Sequence, residues 1–393
     1  MWQERSLNTY TQATAERSTM ESYTLKHGLV FTENCRFEPL DVAFSGGVIT
    51  DIAPDIQSGE VIDCKGCYLL PGLVDIHLHG CMGHDVCDGD TRSLSAIAGY
   101  EFSHGVTAFC PTTMTIPDDR LKAVLMSLKA YTTQAKMQGK AKMIGVHLEG
   151  PFVSKDMCGA QSSDSTQLPS AEKLMEYQSL TGGLIRLVTI APEIEGAAKM
   201  ISECGGEFHF SLGHTAADYD TAKAALAAGA DHITHLFNAM PPFHHRETGV
   251  IGAAFDEGKC YAELICDGVH ISPTAVRAAF KLFGDERIIL ISDSMEGTGM
   301  PDGSYTLGGQ RVFKRGAQAS LENGTLAGSV TNLYGCMKTA VSMGIPLESA
   351  VRAATINPAR SVGCDDRFGS IVKGKAAHFV IADKADLSIK RVI

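Results

Sequence analysis

His77 and His79 stand one residue apart in LVDIHLHG, and Glu149 ends the apolar run of MIGVHLEG. Further along, SLGHT carries His214, THLFNAM carries His235 and ISDSM carries Asp293. Imidazole nitrogen and carboxylate oxygen are the donors that borderline divalent cations such as zinc accept. Two histidines at i and i+2 of a strand project to one face, although an isolated pair of this kind is weak evidence. Glu149 weighs more, because an uncompensated carboxylate at the tip of a buried strand is costly and a cation removes the cost. Taken together, His77, His79, Glu149, His214, His235 and Asp293 predict a metal centre, with Glu149 bridging if two ions bind. His147, two residues before Glu149 on the same face, is either a further ligand or an orienter of the ligands. The alternative is a set of independent polar strand ends, each capping a loop, which leaves Glu149 unexplained.

Elements must bring these distant residues to one place. Apolar runs ending in polar residues fall at 73–80, 105–113, 143–150, 185–193, 207–215, 232–240, 261–270 and 287–295. Helical patterns such as AADYDTAKAALAAGA and SPTAVRAAFKLFG lie between most of them. Fully apolar strands alternating with helices predict an α/β fold, a (β/α)8 barrel over residues 71–374, with chemistry at the C-terminal strand ends. An open doubly wound sheet is the second choice, but no glycine-rich dinucleotide fingerprint follows the first strand. Short strands and turns at 22–70 and again at 375–393 predict a small β-sandwich-like domain formed from both chain termini. Residues 1–21 are polar and read as a disordered leader, with Met20 an alternative start.

The 393 residues suffice for one large core and a small accessory domain, and a net charge of −11 argues against nonspecific nucleic-acid binding. The 12 cysteines read as reduced thiols, mostly small buried apolar groups. No run approaches the ~20 apolar residues that span a bilayer, so a cytoplasmic protein without membrane contact is expected. Acidity also means that an anionic ligand needs a local positive cluster. MPPFHHRETG supplies His244, His245 and Arg246, and arginine suits phosphate because its planar donors engage two oxygens.

A strand-borne HxH, later histidines and a terminal aspartate on a barrel resemble the amidohydrolase superfamily. Most of its subgroups bridge metals with a modified lysine; HLEGP supplies a glutamate instead. That feature, followed in order by SLGHT, THLFNAM and ISDSM, resembles the N-acetylglucosamine-6-phosphate deacetylase family over about residues 22–393. The resemblance implies Glu149, His214 and His235 as shared metal ligands, His77 and His79 completing a second site, and Asp293 as the catalytic base. It implies one or two divalent ions per subunit, zinc, iron, manganese or cobalt. Some members lack the histidine pair and use one ion. The implied substrate is a small phosphorylated amino sugar, deacetylated to glucosamine 6-phosphate and acetate. The galactosamine epimer and a non-catalytic scaffold are the alternatives, the latter disfavoured because every ligand is present. Arg246 matches the phosphate-binding arginine that reaches the neighbouring subunit, which implies a homodimer. Asn238, Ala239, His270, Leu326, Ala327 and Gly328 match substrate-contacting positions. Relatives often carry Lys-Gly-Ala/Thr-His after GPF, whereas this chain has Cys158-Gly159-Ala160-Gln161. Ala160 and Gln161 are therefore expected at the substrate, but glutamine brings a hydrogen-bond donor without positive charge.

Overall fold

The computed structural model describes residues 22–133 and 138–393, so the expected leader lies outside the described residues. The chain divides into two units. One runs to Leu70 and takes in Ser370–Arg391 and Ile393; the other spans Pro71–Gly369 with Val392.

In the larger unit the parallel strands are short and mostly buried, as strands covered on both faces must be. Val146–Glu149, Ile185–Ile190, His209–Leu212, His232–Ile233, Tyr261–Ile265 and Ile288–Ile291 form one six-stranded sheet in chain order. Every neighbouring pair in it is parallel. Leu73–Leu78, Val106–Pro111 and Lys142–Met143 form a second parallel sheet. Backbone hydrogen bonds continue beyond the edges: Thr113 N–H donates to His147 O at 3.0 Å, and Asp293 N–H to His77 O at 2.9 Å. Val74, Ile76, Ala108, Leu187, Ile289 and Ile291, drawn from both sheets, share one apolar core.

Helices return the chain between strands, and their starts are legible residue by residue. Asp90 accepts from the N–H groups of Arg92 and Ser93 to cap Thr91–Ser103, and Asp218 accepts from Thr221 to cap Tyr219–Ala228. Ser272 caps Pro273–Phe283, whose first residue is a proline that has no N–H to leave unsatisfied.

Two features depart from the expected alternation. The run expected as one strand at 143–150 is split, with Lys142–Met143 pairing to one side and Val146–Glu149 to the other. Gly145 sits at the break, where a Cβ would come within 2.8 Å of the Arg186 side chain. After Ile288–Ile291 the chain also inserts an antiparallel sheet of Gly303–Leu307, Gln310–Arg315 and Gln318–Ser320. Gly308 and Gly309, with φ of 57° and 89°, make the tight connection whose two central positions both need positive φ.

The smaller unit holds a four-stranded sheet, Val48–Ala53, Asp41–Ser45, Ser22–Lys26 and Glu60–Asp63. A five-stranded sheet orders Ile389–Val392, Phe379–Asp383, Cys67–Pro71, Leu29–Phe31 and Phe37–Glu38. Leu25, Val42 and Phe44 of the first share a core with Val30, Leu69 and Phe379 of the second. From the sequence no C-x-x-C pair is expected among the thiols, but Cys64 and Cys67 make one. Both are free, and burial pushes the Cys64 thiol up to about 12, far from a reactive thiolate. Among the described residues no helix is long and apolar enough to cross a membrane.

Candidate metal centre

Glu149 closes its strand because the next residue turns sharply. Gly150 has φ of 83°, and a Cβ there would fall 2.0 Å from Thr115 Oγ1. The carboxylate is 1 % exposed and is gripped on both oxygens. Oε1 lies 3.1 Å from His214 Nε2 and 3.2 Å from His235 Nε2. Oε2 lies 3.2 Å from His79 Nε2 and accepts from Gln161 Nε2 at 2.8 Å.

His214, His235 and Asp293 each sit just past the end of a strand, and each has a positive φ: 47°, 28° and 48°. Side chains bearing a Cβ adopt this region reluctantly, so it concentrates at sites where the surrounding structure dictates it. Here it accompanies side chains that converge, His214 and His235 on Glu149, and Asp293 on His77 and His79.

Every imidazole of the cluster is anchored through Nδ1. That atom lies 3.0 Å from Glu263 Oε2 in His77, 3.2 Å from Thr112 O in His79, 3.1 Å from Met157 O in His214, and 3.2 Å from Asn238 O in His235. All four partners are acceptors, so Nδ1 carries a proton and Nε2 faces the centre, where loss of its own proton frees a lone pair for a cation. His214 Nε2 and His235 Nε2 are 3.1 Å apart, a juxtaposition of lone pairs that a cation relieves. His77 Nε2 is buried and has no hydrogen-bond partner. It lies 3.5 Å from Glu149 Oε1 and 3.7 Å from Asp293 Oδ1. These donors fit a divalent cation in two groupings, Glu149 with His214 and His235, and His77 and His79 with Asp293.

Electrostatics agree with the donor set. Burial disfavours charge on Glu149, yet His77 and the contacting His214 hold its carboxyl well below the usual range. Burial likewise disfavours charge on Asp293, but the contact with His79, 3.2 Å away, keeps its carboxyl below the ordinary value. His79 is pushed down by burial and, more strongly, up to about 9 by Asp293 and Glu149. His147 is not in this ring of ligands: Nδ1 donates to Ile76 O at 3.2 Å and Nε2 accepts from Thr189 Oγ1 at 2.8 Å. Burial and the adjacent His77 depress its basicity strongly. Its ring packs 4.5 Å from that of His77, the place of an orienter.

A cavity of about 350 Å³ opens over the cluster. Ala160, Gln161, Asn238, Ala239, His270, Leu326 and Gly328 line it beside His79, Glu149, His214, His235 and Asp293. Ala327 is fully buried, and its N–H pairs with Ala319 O at 3.1 Å. Gln161 spans the rim: its amide oxygen accepts Thr115 N–H at 2.6 Å while its amide nitrogen holds Glu149. Arg246 is elsewhere, exposed on the wall of a second cavity with His244 and residues 216–220. His270 Nδ1 lies 2.7 Å from Asp267 Oδ2; burial lowers its basicity, but this carboxylate raises it more.

Two contributors were missed in the sequence. Asp267 is recoverable from the D-G-V-H spacing, because an Asx turn brings i and i+3 together. Glu263 is a fully buried acid inside the apolar run YAELI, the same signal that singled out Glu149. A further trio at the N-terminal strand ends, His209, Asp231 and His232, reads as one carboxylate accepting from two imidazoles at 2.6 and 2.7 Å.

Imidazoles and carboxylates gathered at the C-terminal ends of parallel strands, beneath a ligand-sized cavity, define a metal-assisted hydrolase. Residues 68–393 match the amidohydrolase family, and the chain belongs to it. An N-acetylglucosamine-6-phosphate deacetylase of Bacillus subtilis is 36 % identical over 92 % of this chain and 93 % of its own. An N-acetylgalactosamine-6-phosphate deacetylase of Escherichia coli O157:H7 is 33 % identical over 92 % of this chain and 95 % of its own. Among solved structures, a Mycobacterium smegmatis N-acetyl-D-glucosamine-6-phosphate deacetylase variant in complex with N-acetyl-D-glucosamine-6-phosphate superposes with a TM-score of 0.88. It is 30 % identical and covers 96 % of this chain and 98 % of that one.

Proposed function

We propose that this hydrolase removes the acetyl group of N-acetylglucosamine 6-phosphate, giving glucosamine 6-phosphate and acetate. The observation that carries the reading is the convergence of four Nδ1-anchored imidazoles on Glu149 beside Asp293. The two parallel sheets are taken as halves of a (β/α)8 barrel over 71–374, with 22–70 and 375–393 forming the small β-domain.

Glu149, His214 and His235 would hold one divalent ion, and His77 and His79 a second. The donors suit zinc, iron, manganese or cobalt alike. Such an ion polarises the acetamide carbonyl and acidifies water. Asp293, held ionised by His79, accepts the proton of the attacking water and returns it to the departing amine. His270, steadied by Asp267, donates to the substrate from the cavity wall, where negative charge on the carbonyl oxygen needs preorganised donors. Gln161 holds Glu149 in place, and since its amide nitrogen also donates to Met114 Sδ at 3.6 Å it offers substrate little. Arg246 lines a cavity other than the one over Glu149, which supports a homodimer in which it reaches the partner's bound phosphate.

The relative from Escherichia coli O157:H7 favours a second reading, the galactosamine epimer. Purified protein, analysed for metal and assayed for acetate release from both sugar phosphates, tests the two together. Faster release from the glucosamine compound is expected. Faster release from its epimer reverses the order, and release from neither ends both readings.

A further inference from the structure

Glu263 has no step in the chemistry above, yet no carboxylate near the centre is more completely enclosed. Strand Tyr261–Ile265 carries it, and it is 0 % exposed. Oε2 accepts from His77 Nδ1 at 3.0 Å and from the backbone N–H of His235 at 3.2 Å. One oxygen thus touches the side chain of one expected ligand and the main chain of another. Oε1 is buried and has no hydrogen-bond partner. The ion pair recorded for Glu263 among the described residues is with His77, and neither lysine nor arginine reaches it. A buried anion so placed is costly unless a cation offsets it.

The opposite end of the same imidazole supplies the second half of the argument. His77 Nε2 is itself buried and unpartnered, between Glu149 Oε1 and Asp293 Oδ1 at 3.5 and 3.7 Å. Glu263 therefore fixes the tautomer that leaves this lone pair free, and it sets the ring's angle.

We propose that Glu263 is a positioning residue, acting through His77 on the divalent cation assigned to His77 and His79. This rests on the assignment of His77 and His79 to a metal. Carboxylates that accept the distal N–H of a metal-bound histidine raise metal affinity by about 10- to 100-fold.

The test is a Zn²⁺ titration of the chelator-stripped full chain, with bound metal counted by mass spectrometry. About two ions per chain are expected in the parent. Glu263→Gln should keep the ion at Glu149, His214 and His235 and bind the other about 10- to 100-fold more weakly. In a His77→Gln background the same change should have no further effect, which a general packing defect would not reproduce. Glu263→Asp keeps the charge but retracts the carboxylate, and it should weaken the same ion if the amide variant does not fold. One ion in the parent, an unaltered second ion in Glu263→Gln, or equal losses in both backgrounds overturns the proposal. A parent that shows this dependence yet releases no acetate instead overturns the deacetylase reading and leaves the role of Glu263 intact.

Discussion

Two carboxylates share the mouth of the site, and their contacts separate their duties. Glu149 is surrounded on both oxygens by His214, His235, His79 and Gln161, a setting that suits holding an ion better than carrying a travelling proton. Asp293 meets His77 and His79 through Oδ1 alone and lines the cavity where substrate would lie. Asp293→Asn should therefore keep the ion at Glu149, His214 and His235 while turnover falls at least ~10²-fold, the usual worth of an acid–base group. Metal analysis beside steady-state rates checks it, and near-normal turnover removes Asp293 from the role. Glu149→Gln should instead empty the His214 and His235 site and lose activity with it. At this scale the sequence was legible where a polar residue interrupts an apolar strand. Glu149 stood out beside a Gly-Pro stop, whereas Glu263, with equal burial, lay mid-strand without punctuation.

Among the elements, the parallel strands and capped helices were readable because hydrophobic runs and Asp or Ser caps are local signals. The split at Gly145 was not, since it depends on Arg186 filling space from a neighbouring strand. The inserted hairpin was written in TLGGQ, yet its use is tertiary: Leu307 lines the cavity and Gln310 Nε2 donates to Ala160 O at 2.6 Å. Helices Asp118–Thr132 and Ala171–Thr181 are tied by Asp118, which accepts from Tyr177 at 2.6 Å and pairs with Lys173 at 3.0 Å and Lys122 at 3.1 Å. Burial opposes the charge, but Tyr177 and the two lysines hold the Asp118 carboxyl well below its ordinary value of 3.8. Its stabilisation is present above about pH 4 and fades as the pH falls further. Because Asp118 is partly exposed, Asp118→Asn should cost about 1 kcal/mol or less at pH 7. Thermal melts should show the parent–variant gap closing toward strong acid; a gap that persists there assigns the loss to packing.

For the whole molecule, the place of Arg246 on a second cavity makes a prediction that only an assembly satisfies. Arg246→Ala should raise KM for the phosphorylated sugar steeply and leave an unphosphorylated analogue unaffected. Mixing Arg246→Ala chains with Asp293→Asn chains should restore activity to about a quarter of the parent, because random pairing in a two-fold dimer rebuilds one complete site in mixed pairs. No recovery on mixing refutes sharing between subunits. Composition and charge foretold a globular chain unsuited to nonspecific nucleic-acid binding but were silent on assembly, which depends on one surface meeting its copy. The reluctant backbone at His214, His235 and Asp293 has a last implication, for transplantation. A designer who copied these side chains onto ordinary strand ends of another scaffold would leave them splayed along the pleat, so the bends have to travel with the ligands.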